Sequence, residues 1–403
     1  MRGRTLRLSF AVLEAALAAA LAVTLVGCGP KTESGTQAEK PETSTAEPIK
    51  IGAIVSLTGT YAGLGEPEKN TIEMEVKRIN EAGGINGRLV EVIIEDDATD
   101  EAKAVAAASK LIEQDQVVAI IGATGSGQSM AIRSEIDRAG IPQVSMAGAT
   151  AITAQFDPLV FQTPWSNMIV VPFTLEYMKT QGIESIGLIS DSGGFGKDGR
   201  DVVLAESEKA GIKVVSDQTF NPGDADMSAQ LTKIKSAKPD AVLVISAGKE
   251  ASTIATNAKA LGLEAPLFGT HGNARREFID GAGEAAEGFR FAAGKILVPE
   301  AYGEGSEAYQ VATDFISRYE AAFGAAPSTF AGHAYDALYL IVRAAERVEG
   351  DITPQALRDA IEQTSGFVGI GGTFTFSATD HNGMKAADLT MYEVSGGNWS
   401  VIQ

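Results

Sequence analysis

Cysteine is all but missing. Cys28 is the only one in 403 residues, so whatever follows it folds without disulfides. Histidine is nearly as scarce, and His271, His333 and His381 stand far apart with no metal-ligand spacing. Basic residues are outnumbered, 33 Lys and Arg against 52 Asp and Glu, for a formal charge of −19. A chain that acidic repels phosphate backbones, which argues against a nucleic-acid partner. Beyond Cys28 no apolar run is long and uncharged enough to span a bilayer. There is no Gly-x-Ser-x-Gly elbow, and no Ser, His and Asp can be nominated together beyond chance. An enzyme, a cofactor and a metal are therefore not expected.

What is present begins at the N-terminus. Arg2, Arg4 and Arg7 precede a mostly apolar run from Leu8 to Val26, and Leu25-Val26-Gly27-Cys28 closes it. A positive start, an apolar middle and a small residue before the cut make an export signal over residues 1–27. The cysteine just after that cut resembles the bacterial lipobox, whose thiol is acylated and becomes the first mature residue. That resemblance implies an extracytoplasmic protein anchored to the membrane through Cys28. An uncleaved membrane anchor and a buried core cysteine are the alternatives, since the run is near the length of a spanning helix. Losing Arg2, Arg4, Arg7 and Glu14 would leave the mature chain more acidic still. Residues 28–48 carry no large apolar side chain beyond Cys28 and read as a disordered tether. About 355 residues follow from Pro48 onward, enough for one or two cores.

From Ile49 short apolar runs alternate with amphipathic ones. Residues 51–57, 89–95, 117–121 and 142–145 read as strands, with helices over 67–82, 102–114 and 126–139 between them. Pro67 suits a first helical turn, Gly83-Gly84 a stop, and Asn86-Gly87 a tight turn. The pattern repeats downstream. Strands are expected at 186–190, 214–217, 241–246 and 267–269, and helices at 198–210, 228–237 and 250–261. Such alternation indicates parallel sheets covered on both faces, here in two lobes joined near Thr163 to Asn167. After Gly288 the pattern gives way to helix. A stripe runs from Ala308 to Phe323, a second helix spans 331–348, and a third starts at Thr353-Pro354 as N-cap and first position. Residues 389–394 and 399–402 read as a closing hairpin around Gly396-Gly397.

Two glycine motifs could carry chemistry. Gly122 to Ser129 has the glycine spacing of a phosphate-binding loop, but Gln128 stands where its lysine should be, so nucleotide binding is not expected. A single carboxylate suits such a loop better, with the helix start and the Ser126 hydroxyl as donors; a mere tight turn is the alternative. Gly194-Phe195-Gly196-Lys197-Asp198-Gly199 is formally a dinucleotide fingerprint. Asp191, Ser192 and Gly193 separate it from the strand end, and that cofactor is intracellular.

Several segments point one way: Ile51-Gly52-Ala53, the run Ile79-Asn80-Glu81-Ala82-Gly83-Gly84-Ile85-Asn86-Gly87, Ile120-Ile121-Gly122 with Ser126, residues 142–150, residues 331–337 and residues 374–383. Together they resemble the substrate-binding lipoproteins of branched-chain amino acid ABC transporters. The resemblance covers nearly everything from Ile49 to Gln403. It implies an α/β fold of type I periplasmic binding proteins, two doubly wound parallel-sheet lobes joined by a three-crossing hinge. Lobe 1 would comprise 49–166 plus 297–377, and lobe 2 would comprise 167–296 plus 378–403. It also implies a ligand in the interlobe cleft, no catalysis, a monomer, and membrane permease and ATPase subunits as partners. A ligand-sensing lipoprotein that presents its closed state to a membrane receptor is the alternative.

Residue by residue, the resemblance puts a ligand carboxylate on Ser126 and Thr150, with backbone help from Ala147, Gly148 and Ala149. The family's acidic partner for an amino group is replaced by His271, its tyrosine-bearing helix start by Ala247-Gly248-Lys249, and its hinge-side aspartate by Asn167 beside Trp165. With those acids gone, the expected ligand is a small carboxylate, either a branched-chain amino acid or an aromatic or aliphatic acid without an ammonium. Trp165, Phe195 and Phe330 would supply its apolar wall, and Leu64 and Gly248 complete the expected ligand-binding set. Trp165 and Phe330 as ordinary core is an equal alternative.

Overall fold

The computed structural model describes residues 47–402; the expected signal peptide, Cys28 and nearly all of the expected tether lie outside the described residues. Strands β1 (Ile49–Val55), β2 (Val90–Asp96), β3 (Ile120–Gly122), β4 (Gln143–Ser145) and β5 (Val160–Gln162) form one parallel sheet in the order β2-β1-β3-β4-β5. β1, β3, β4 and β5 are buried almost throughout, as parallel strands covered on both faces are, whereas β2 at the sheet edge is only partly buried. Helices α1 (Ala62–Glu81), α2 (Glu101–Glu113), α3 (Ser126–Ala131), α4 (Arg133–Ala139) and α5 (Ala151–Ala154) connect them.

The second sheet repeats that plan. β6 (Ser185–Asp191), β7 (Lys213–Phe220), β8 (Ala241–Ile245), β9 (Leu267–Gly269) and β10 (Arg290–Gly294) lie in the order β7-β6-β8-β9-β10, the same winding as the first sheet. The hairpin β13 (Leu389–Ser395) and β14 (Asn398–Val401) adds to β10 antiparallel. Between these strands run α7 (Gly194–Ser207), α8 (Ser228–Ala237), α9 (Glu250–Ala260) and α10 (Arg276–Ala282). The chain passes between the two sheets three times: through α6 (Asn167–Thr180), after β10, and again before β13. Helices α11 (Glu307–Phe323), α12 (Thr329–Arg347) and α13 (Pro354–Glu362) and a small hairpin, β11 (Ser365–Val368) with β12 (Thr373–Thr375), fill the second return. No helix among the described residues is long and apolar enough to cross a membrane.

Local chemistry explains most boundaries. Asn86 (φ 50°) and Gly87 (φ 79°) make the paired left-handed turn of a tight hairpin, closed by Ile85 and Arg88. Thr353 caps α13 by accepting the Ala356 N–H, with Pro354 at the first position. Helix α12 is buried over nearly its whole length and packs along α1. There the buried Glu75 carboxylate is held by Arg78 (2.7 Å), Arg318 (2.9 Å) and the Tyr339 hydroxyl (2.8 Å).

Four expectations need correction. Helix α1 starts at Ala62, so Pro67 lies inside it rather than in its first turn. The early glycines that hid this start serve packing, since a Cβ on Gly65 would lie 2.2 Å from the Ser56 carbonyl oxygen. The helix expected over 126–139 is two, divided at Ile132, leaving α3 only six residues long. β10 interrupts the stretch read as purely helical after Gly288. β5 and α6, neither among the expected elements, flank the presumed junction at Thr163 to Asn167; α6 is apolar around most of its circumference and contains Pro172, so no stripe betrays it.

Candidate functional site

In wound parallel sheets ligands gather outside the carboxyl ends of the strands, where the winding reverses. Here both sheets turn those ends toward one crevice. The loop after β1 contributes Tyr61 and Leu64, the loop after β3 Thr124, Gly125 and Ser126, and the loop after β4 Met146, Ala147 and Gly148. Pro164 follows β5. The second lobe adds Phe195 after β6, Ala247 after β8, and His271 and Gly272 after β9; α12 adds Phe330 and His333. About 340 Å³ is free of protein atoms, yet only about 20 Å³ can take the centre of a water-sized sphere. That is room for about one water. The lobes are therefore drawn together in this structure, and a larger solute requires them to part.

Glycines permit that approach. A Cβ on Gly194, at the start of α7, would lie 2.5 Å from the Gly127 amide nitrogen of α3. A Cβ on Gly148 would lie 2.3 Å from Nε2 of His271 and 3.2 Å from the Phe195 ring. Ser126 is buried, and its hydroxyl oxygen accepts the Ala149 N–H at 3.2 Å, which leaves the hydroxyl hydrogen free to donate.

Of the residues singled out from sequence, Ser126, Ala147, Gly148, Leu64, Phe195, His271 and Phe330 line this crevice. Five do not. Thr150 faces a different contact: its hydroxyl accepts the Met168 N–H at 3.0 Å, and its own N–H goes to Asp198 at 2.8 Å. Asp198 also accepts Ala151 N–H (3.0 Å) and Nδ2 of Asn167 (2.8 Å), so the α7 carboxylate ties α5 to the first crossing. Asn167 thus serves this tie. Ala149 is fully buried behind Ser126. Gly248 sits against the Glu250 carboxylate, and Lys249 is solvent-exposed. Trp165 is core: its indole packs on Gly294 and lies edge-on to the His333 ring at 5.9 Å.

The lining contains no Asp, Glu, Lys or Arg. Its titratable members are Tyr61 and two histidines. Burial pushes the His271 imidazole down to about 3 and, with His271 as a second cause, does the same to His333. Neither ring nitrogen of His271, nor Nδ1 of His333, has a hydrogen-bond partner. Phe195 meets His271 edge-on at 5.4 Å, and Phe330 meets His333 edge-on at 5.9 Å. The Tyr61 phenol is held well above its usual range by burial and then by the Asp191 and Glu250 carboxylates behind it. Asp191 itself is raised to about 7, chiefly by burial, and the neighbouring Arg275 guanidinium is lowered by burial.

Beneath the crevice the loop after β3 is braced by buried acids. Thr124 donates its hydroxyl hydrogen to Glu68 and accepts the Ser56 N–H at 3.0 Å, while the Ser56 hydroxyl donates to Asp97 at 2.6 Å. Burial raises both carboxyls, Glu68 strongly. One oxygen of each has no partner.

Residues 48–398 match the family described as periplasmic binding protein. The chain belongs to that family. This periplasmic binding protein is 27% identical over 350 residues to the leucine-, isoleucine-, valine-, threonine- and alanine-binding protein of Pseudomonas aeruginosa, covering 86% of this chain and 90% of that one. It superposes on an extracellular ligand-binding receptor from Rhodopseudomonas palustris with a TM-score of 0.82 at 28% identity, over 88% and 99% of the two chains. The branched-chain amino acid transporter substrate-binding protein LivJ of Streptococcus pneumoniae, solved with isoleucine, gives 0.77 at 28% identity over 88% and 98%. Its relatives are binding proteins and not enzymes, and the family works outside the cytoplasm.

Sequence reasoning missed several walls of this binding protein's crevice. Tyr61 and His333 matter most. Tyr61 sits in a glycine- and threonine-rich loop after β1, a position that the winding rule alone could have flagged. His333 enters the sequence reading only as a candidate metal ligand or triad histidine, although it lies in the 331–337 segment that carries the resemblance. Tyr61 also borders a second, outer depression, with about 1060 Å³ free of protein atoms, between residues 59–61 and 98–102 on one lobe and Gly193, Gly194 and Pro222 on the other.

Proposed function

We propose that this protein is the extracytoplasmic solute-binding component of an ABC importer and that its cargo is a small monocarboxylic acid without an ammonium group. One observation carries the choice of cargo: the only charge the lining can acquire is positive. Its two histidines are the only groups that could gain a positive charge, although burial holds both neutral in the free protein, and its sole acid, Tyr61, is pushed further from ionisation. An ammonium shut in such a place would lack a counter-charge and cost several kcal/mol, on the order of a buried unpaired ion. A carboxylate can draw on the Ser126 hydroxyl and on the histidines. Phe195, Phe330, Leu64 and Met146 offer an apolar wall for an aromatic or branched aliphatic tail.

The remaining parts of this reading follow from the sequence. Cys28 carries the lipid anchor, residues 28–48 the tether, and the lobes divide as 49–166 with 297–377 and 167–296 with 378–403. The closed form, as a monomer, is what a permease and its ATPase would meet. Isothermal titration with benzoate, isovalerate and leucine tests the cargo. Micromolar binding of either acid with weak or silent leucine is expected; tight leucine with both acids silent would sink it.

A further inference from the structure

His271 is 3% exposed, and neither of its ring nitrogens is hydrogen-bonded, an arrangement that leaves buried polar groups unsatisfied. A buried imidazole without any partner is poised for something that arrives. Nε2 sits against Gly148 across the cleft, in the same crevice as the free hydrogen of Ser126. His333, whose Nδ1 is also unpartnered, faces that crevice from α12.

The surroundings of His271 determine what an arriving anion must do. Phe195 of α7 covers one edge, Gly148 of the β4 loop the other, and Ala247 of the β8 loop shares the same wall. None of these titrates. His333 on α12 and Tyr61 after β1 are the titratable groups that share the crevice. Asp191, Glu250 and Arg275 act on Tyr61, and none of them contributes to the His271 balance, which burial alone dominates. No fixed cation lines the crevice. A carboxylate entering it either forgoes its water without a counter-ion, which is costly, or finds one made on arrival.

Resting on the acid-ligand reading above, we propose that capture of the carboxylate draws one proton from solvent onto His271, so that anion and proton are bound together and released together. The balance is simple: a neutral imidazole, a carboxylate and a solvent proton become an imidazolium–carboxylate pair. His333, its ring set edge-on to Phe330 and Trp165, is the second imidazole lining the same crevice. The free imidazole, lowered by burial, carries no proton at neutral pH, so uptake reaches one full proton there if pairing with the carboxylate lifts the bound imidazole's titration above 7.

Titration of benzoate into the purified protein, repeated in buffers of different ionisation enthalpy, counts that proton directly. The expected result is uptake of about one proton per benzoate at pH 7, with the dissociation constant rising about tenfold per unit between pH 5.5 and 7. His271→Gln should abolish the uptake and weaken binding at least tenfold, while His333→Gln weakens binding but keeps the uptake. Benzoate or isovalerate binding with no proton exchanged would overturn the inference and leave the acid-ligand reading intact. Undiminished uptake in His271→Gln would put the proton on His333 or on the ligand itself and overturn the His271 assignment. If neither acid binds at any pH, both readings fall together.

Discussion

Gly148 and His271 belong to opposite lobes, and a single Cβ on Gly148 would come within 2.3 Å of the His271 Nε2. The closed state is therefore sterically saturated at this point. Gly148→Ala should cost the closed form about 1–3 kcal/mol through overpacking, which appears as a loss of affinity of about 5- to 150-fold. The unliganded lobe, free to stand open, should melt within a few degrees of the wild type. A calorimetric titration beside a thermal melt distinguishes this from general damage, in which both would fall.

Gly194 makes the matching contact on the outer side of the seam, backbone against backbone at Gly127. Gly194→Ala should hold the lobes apart and enlarge the radius of gyration of the ligand-saturated protein in small-angle scattering. A variant that still compacts to the wild-type value on saturation would show that the two backbones do not limit closure.

Ser126→Ala removes a donor inside the crevice and one acceptor for the Ala149 N–H. Binding of a carboxylate should weaken by about 1.5–3 kcal/mol, the range for a hydrogen bond to a charged group. Stability should drop by much less, because the lost internal bond is long at 3.2 Å. Unchanged affinity would remove Ser126 from the carboxylate site.

The buried acids set the alkaline side of stability. Burial raises Asp191 to about 7 and Asp336 to about 8, so the folded protein holds protons that the unfolded chain, with carboxyls near 3.8, has released. Stability from these groups is full below about pH 4 and is lost as pH climbs to 7 and 8. His271 and His333 work oppositely: the unfolded chain binds their protons below about 6.5 and the folded protein only near 3. The two effects oppose each other between pH 4 and 6.5, and above 6.5 only the loss remains. Asp191→Asn should therefore raise the melting temperature at pH 8 by the equivalent of about 1–3 kcal/mol and leave it unchanged at pH 4. An equal gain at both values would refute the linkage.

Glu68→Gln offers a second check on buried acids. The Thr124 hydroxyl donates to Glu68, and burial raises that carboxyl and so favours its neutral form, which the amide mimics. Stability near neutrality should be equal or improved, with ligand affinity within about threefold; Glu68→Ala, which strips Thr124 of its acceptor, should lower both by about 1–3 kcal/mol. Chemical denaturation of the three proteins in parallel measures the difference.

Most of the fold was legible because buried parallel strands write themselves as Val- and Ile-rich runs between amphipathic helices. Residues 186–190 and 241–246 fall within a residue or two of β6 and β8 for that reason. What escaped was short or featureless. β5 has three residues, β10 is built mainly from small ones, and α6 is buried around too much of its surface to show a stripe. The site divided similarly. Residues tied to loops at strand ends, such as Ser126, Gly148 and His271, come together in the crevice. Thr150, one turn further along, does not, because the Asp198 carboxylate from the other lobe claims its amide. No local pattern in sequence signals a contact made by a residue 48 positions away. His333 was hidden for another reason: inside a helix that is buried on nearly every side, a polar residue has no exposed face to mark it.

Tyr61 is the one side chain that fronts both the inner crevice and the outer depression between the lobes. It stands as a bulkhead, its ring wedged beside Gly125 and its hydroxyl turned toward Gly193 of the opposite lobe. Cargo leaving the crevice toward that depression has to pass this ring, so on that side its stay is governed by how often the two halves swing apart.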